Sequence, residues 1–396
     1  MPPAEPVAPV DWDAAARLAA RLAPPGPAAG RAQLEDLVAG LRRSAAAAAG
    51  HVALLAELPP ADGRPPAEAS RVHVVDRARW SRANVATFAA LTEPVTAAIA
   101  ARDPRAAQVS AAGRAAGAAQ VGSVLALLSG KVLGQFDPFV AGPGEPGRLL
   151  LVAPNVLAAE RALGVDPADF RLWVCLHEQT HALQFARAPW LAAHLRERAA
   201  GLGAGLAERV LPRDGREDRD GRGGSRGRWR GGARGTSGRP GDGGAPGCLA
   251  GLEELVRGVD RALRGPGSLG LLELLPAPER RALDEVTAVM SLLEGHADVT
   301  MDAVGTDVVP TVRHLRRRFE ARRDAAGRSV GPERVLRRLL GLDAKLAQYR
   351  DGARFVRRVQ RRVGLAGLNA VWDDPAHLPT PSELARPADW VRRVHG

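Results

Sequence analysis

The sequence predicts a mainly α protein, a bundle of helices gathered around one central helix, with a small sheet or edge strand beside it. Three observations carry that expectation. The stretch Asp166–Arg187 repeats apolar residues at Phe170, Trp173, Val174, Leu176 and Leu183, a helical period. Long Ala-rich segments precede it. Only two short apolar runs, at 72–76 and 148–155, read as strands.

In chain order, residues 12–22 and 31–48 read as Ala-rich helices separated by the breaker PPGP at 24–27. A proline-rich connection covers 59–66, VHVVD at 72–76 is a short strand, and Trp80 to Arg102 is helical. Ala111 to Leu133 forms a small-residue helix, Gly134–Gly147 a loop, RLLLVAPN at 148–155 a strand, and Asn155 to Leu163 a helix. The central helix follows, with Asp166 as N-cap, Pro167 at the first position and Asp169 in the first turn; Pro189 stops it. Trp190 to Val210 continues as helix. Residues 213–247 are rich in Gly and Arg with Trp229 as the one large apolar side chain, which predicts a flexible insertion. A second strong helix runs from Pro278 to Val304 with Gly305 as C-cap. Basic helices follow at 310–323 and 332–361, the latter with Leu339, Leu342, Leu346 and Tyr349 on one face. The tail opens a last helix with a capping box of Thr380, Pro381 and Glu383.

Hydrophobic residues make up 45% and charged residues 25% of the 396, an ordinary soluble profile. The net charge of +11 does not by itself select a nucleic-acid partner. The basic residues are almost all Arg, with lysine only at 131 and 345, as codon bias in a GC-rich genome produces. Residues 213–247 hold nine Arg against five acids, so four of the eleven excess charges lie in that one insertion. Two cysteines, Cys175 and Cys248, make no disulfide framework, which predicts a cytoplasmic protein. The run Val121–Val132 is too short and too interrupted to span a bilayer, so no membrane partner is expected.

The chemistry concentrates in the central helix. His177, Glu178 and His181 have HExxH spacing, so two imidazoles one turn apart share a face and can grip one zinc ion. Glu178 lies beside them as a general base for a metal-activated water. Cys175 points away from that face and reads as core. A catalytic zinc wants a third protein ligand. Glu294, in an otherwise apolar helix, is the candidate, with His296 as runner-up. Asp298, one turn later, is placed to accept a hydrogen bond from a ligating histidine. Tyr349 and His314 are candidate oxyanion donors, although no spacing argument supports either.

HEQTH followed by EGHAD resembles the gluzincin type of zinc metallopeptidase. VDWDAAARLAARLAPPGP, LGQFDPF, LLLVAPN, HEQTHALQF, MSLLEGHAD and LPTPSELARPADW resemble, more narrowly, the zincin-like metallopeptidase type 2 family. That family is largely actinobacterial and is often labelled a deazaflavin coenzyme biosynthesis-associated protein. The resemblance covers nearly the whole chain outside 213–247. It implies an α+β zincin-like fold. The chain is expected to divide into a helical region at 1–110 packed on a metallopeptidase domain at 111–396, interrupted by the insertion at 213–247. The resemblance also implies a Zn2+ site and hydrolysis of a peptide or protein substrate laid along an edge strand, for which Leu149–Ala153 is the candidate. One departure is that Glu294 lies more than a hundred residues beyond His181, farther than in typical gluzincins. The rival reading is a non-catalytic zinc-binding scaffold or regulatory protein; nucleic-acid binding through the Arg-rich tract ranks last.

Overall fold

The computed structural model describes residues 8–102, 109–142, 144–210, 277–328 and 342–396. The insertion expected at 213–247, Cys248 and the start of the helix expected from 332 lie outside these residues. The fold is mainly α with a small three-stranded sheet, as the sequence predicts.

Helices α1 (Trp12–Leu22) and α2 (Arg31–Ala56) lead into strand β1 (Ser70–Val75) and helix α3 (Arg77–Arg102). Helix α4 (Ala111–Ser129) is followed by strands β2 (Gly134–Asp137) and β3 (Gly147–Val152), then helices α5 (Ala153–Leu163), α6 (Pro167–Arg187) and α7 (Trp190–Val210). After the undescribed segment come α8 (Ala277–Ala303), a helical turn at Gly305–Val308, α9 (Val312–Arg328), α10 (Leu342–Asn369), α11 (Pro381–Ala385) and α12 (Pro387–His395).

Most expected elements are present, and three of the differences have a clear local cause. The helix begun at 31 runs eight residues past 48, because Gly50 and His51 do not interrupt an otherwise apolar face that buries Val52 and Ala56. Helix α10 continues to Asn369 across a kink at Gly364, whose φ of 75° only glycine adopts readily. The loop expected over Gly134–Gly147 opens with β2, a strand too short and too polar to show in the pattern.

Strand order is β1-β3-β2, with β1 parallel and β2 antiparallel to β3. The candidate substrate edge, Leu149–Ala153, is therefore corrected: β3 is the central strand, and Ala153 already belongs to α5. Its continuous apolar run reflects burial on both faces. Leu149 and Leu151 enter the main core with α2, α6 and α8, while Leu150 and Val152 enter a second cluster with Ala15, Ala19, Trp80, Ala118 and Leu125. The main core draws side chains from both sides of residue 110.

Helix α4 closes the second cluster. With the alanines before Val121 included, it is long and apolar enough, by length and composition, to cross a membrane, where Val121–Val132 by itself is not. In the fold it packs against α1, so closely that a Cβ at Gly122 would lie 2.9 Å from the Ala15 carbonyl oxygen.

Candidate metal centre

Helix α6 starts as its sequence dictates: the Asp166 carboxylate accepts from the Asp169 N–H at 2.9 Å. Asp169 does more than face the helix dipole, since it also accepts from the N–H and hydroxyl of Thr311 before α9. Apart from the Trp173 indole N–H, the buried polar side chains flanking the motif on α6 are committed to neighbours. Arg171 bonds Glu160 on α5 and Asp36 on α2, both at 2.9 Å. Gln179 donates to the Ala45 carbonyl and accepts from Ser70, and Thr180 bonds back to the Leu176 carbonyl. Cys175 is fully buried against α2, away from the histidines, and burial pushes its thiol pKa up.

Three groups are turned instead toward one point. His177 Nε2 and His181 Nε2 lie 3.2 Å apart, and Glu294 Oε2 on α8 lies 3.5 and 3.8 Å from them. Among the described residues these form one set of donor atoms all within 4.8 Å of one another. Bonds of 2.0–2.1 Å at tetrahedral angles place ligand atoms about 3.3 Å apart, so this spacing fits a zinc ion. The nitrogen and carboxylate donors suit zinc as well. The outward nitrogens are held: His177 Nδ1 faces Met301 Sδ at 3.3 Å, and His181 Nδ1 faces Gln184 Oε1 at 3.0 Å.

The electrostatics follow from crowding charge into a partly buried space. Burial alone would lower the His177 pKa, but the hydrogen bond and charge of Glu294, with Glu178 and Asp298, outweigh it and raise it to about 9. His181 is pushed down, first by burial and then by the positive charge of His177. Burial, with the charge of Glu294, raises Glu178 to about 7, against the pull of His177 and a backbone hydrogen bond from Phe136 on β2. The side chains of His177, His181 and Glu294 keep 31, 14 and 21% of their exposure, so the cluster is only partly shielded from solvent.

The chain matches the zincin-like metallopeptidase family over residues 10–391. It belongs to that family. A crystal structure from Chloroflexus aurantiacus, of a protein with a novel fold for which a hydrolase function is proposed, is similar at 25% identity and a TM-score of 0.59. The alignment covers 97% of this chain and 98% of that one. No curated protein matches. The family and the neighbour together support a hydrolase.

Within this zincin-like chain the remaining expected site residues divide. His177, Glu178, His181 and Glu294 are brought together. Asp298 is corrected: its carboxylate pairs with Arg316 at 2.7 Å and Arg357 at 3.8 Å, and neither outward histidine nitrogen bonds it. Spacing put it on the right helix but could not show basic partners arriving from α9 and α10. The runner-up ligand His296 lies outside the donor cluster, with Nδ1 3.0 Å from Gln184 Nε2 and burial lowering its pKa to about 4. His314 is exposed on α9. The Tyr349 side chain lies outside the described residues.

Sequence reading missed two features. Gln184 bonds His181, and its signal was a polar side chain one turn beyond the motif in an apolar helix. Strand β2 leans on the base so closely that a Cβ at Gly134 would lie 2.6 Å from Glu178 Cγ. Nothing local to Gly134 announces that approach.

Proposed function

We propose that this protein is a zinc-dependent peptidase in which His177, His181 and Glu294 hold the metal and Glu178 is the general base. The observation that carries the reading is the convergence of those three donors, from two helices, on side chains that stay partly exposed. When bound, zinc supplies Lewis acidity: it lowers the pKa of a water and polarises a carbonyl. Glu178 takes the proton of the attacking water and delivers it to the leaving amine. A carboxyl whose pKa burial raises toward neutrality suits both transfers. Phe136 holds that carboxylate through its backbone, and Gly134 leaves it room. An extended substrate is placed along β2, at an edge of the sheet, in preference to central β3.

The test is Glu178→Gln, assayed with a peptide library and a zinc-binding titration. Zinc affinity stays near the wild-type value while cleavage falls by about 10²–10⁴-fold. A wild-type protein that binds zinc and cleaves no peptide would overturn the peptidase reading and favour a scaffold. A protein that binds no zinc would overturn the metal site as well.

A further inference from the structure

Gln184 is fully buried one turn beyond His181, and its amide has three partners. One of them decides the other two. The backbone carbonyl of Leu293, 3.0 Å away on α8, can only accept, so the amide nitrogen must face it. That nitrogen also lies 3.0 Å from His296 Nδ1, which therefore accepts its second N–H. The amide oxygen is left for His181 Nδ1 at 3.0 Å, and an oxygen that only accepts requires a proton on that ring nitrogen. His181 Nε2 then carries the lone pair, and this is the nitrogen that faces His177 and Glu294. Turning the amide over would set its oxygen 3.0 Å from the Leu293 carbonyl oxygen, two acceptors with no proton between them.

The same bond reaches the third donor. Leu293 immediately precedes Glu294, so the contact that orients the amide also sets the height of α8 against α6. His296 supports the arrangement from behind, with its ring edge-on to Trp372 at 5.4 Å between centroids.

We infer that Gln184 is a positioning residue: one buried amide selects the tautomer of His181 and ties it to the backbone that carries Glu294. Its functional consequence rests on the zinc reading above, but the tautomer is a property of the metal-free protein. Packing alone would need only the volume of the side chain, which Gln184→Met preserves while removing the hydrogen bonds.

Two measurements test this. Long-range proton–nitrogen spectra of metal-free wild type report the His181 tautomer. Competition with a chromophoric chelator reports the zinc dissociation constant of wild type and Gln184→Met. The expected results are a proton on Nδ1 and none on Nε2 of His181 in wild type, and zinc binding weaker by about 10–100-fold in the variant. A His181 protonated at Nε2 in wild type overturns the inference, even if the variant does not fold. A folded Gln184→Met that binds zinc like wild type overturns it too. Wild type that binds no zinc, with His181 protonated at Nδ1, would instead defeat the proposed function and leave the tautomer assignment standing.

Discussion

Helix α8 presents two faces built on opposite rules. Toward α6 it offers directional polar groups: the Leu293 carbonyl to Gln184, the Glu294 carboxylate to two imidazoles, and His296 to the same amide. Toward α10 it offers carboxylates only at the rim, where Asp298 and Asp302 meet Arg357, and at the point of closest approach it offers no side chain at all. Gly295 meets the backbone of Gly352 and Ala353, and a Cβ on either glycine would overlap backbone atoms of the other helix. One face is specified by partners, and the centre of the other by missing atoms. Four consecutive residues serve both, so the position of Glu294 depends on how closely α8 sits on α10 as well as on its own chemistry.

The largest effect on this comparison comes from the glycine face. Gly352→Ala drives a methyl into the Ser291 carbonyl, where only backbone could yield. It should cost stability at or above the upper end of the about 1–3 kcal/mol typical of overpacking, seen as an earlier denaturant midpoint. Zinc affinity should fall with it, and a midpoint equal to wild type would show that the two helices are not held by contact. A smaller effect is expected where the neighbour is a flexible side chain. In Gly134→Ala the methyl would displace Glu178, so cleavage should drop by about 10²-fold, as for a displaced catalytic group, with stability and zinc affinity little changed. Equal losses in all three quantities would mean that β2 supports the fold and not the base.

The smallest effect is expected behind α8, where α11 packs on it and Glu383 joins α11 to α12. Burial works to raise the Glu383 pKa, but the Arg393 hydrogen bond and charge, with the Thr380 N–H, outweigh it and hold it below the usual carboxylate range. A depressed folded pKa contributes stability that is complete above the unfolded value of about 4.3 and is lost as pH falls through the folded value. Acid unfolding of wild type should therefore steepen below about pH 4. Glu383→Gln should be less stable than wild type at neutral pH, and the difference should shrink with acid. A constant difference across pH would remove the pair from the account.

What the sequence made legible was whatever depends on local order. Asp166 and Pro167 mark the start of α6, the spacing of His177 and His181 puts both rings on one face, and Glu294 stands out as an acid in an apolar helix. Thr380 and Glu383 form the expected reciprocal cap. Partners contributed by distant segments stayed hidden. Asp298 has the right spacing for a histidine, yet Arg316 and Arg357 reach it from other helices. Gln184 lay in view, but its role depends on a carbonyl 109 positions away. The centrality of β3 was readable in principle, because four consecutive apolar residues with no alternation announce two buried faces. Strand β2 was not, since GQFD holds no pattern, and only pairing with β3 extends it.

The claim on which the rest depends is that α6 and α8 together make one metal site. Its most direct test is zinc stoichiometry and affinity in wild type and Glu294→Ala, each folded and initially metal-free. The account predicts one zinc per wild-type chain and binding at least about 10-fold weaker once the carboxylate is gone, as loss of a protein ligand requires. Equal affinity in the two proteins would contradict it, because the histidines would then be holding the ion without α8.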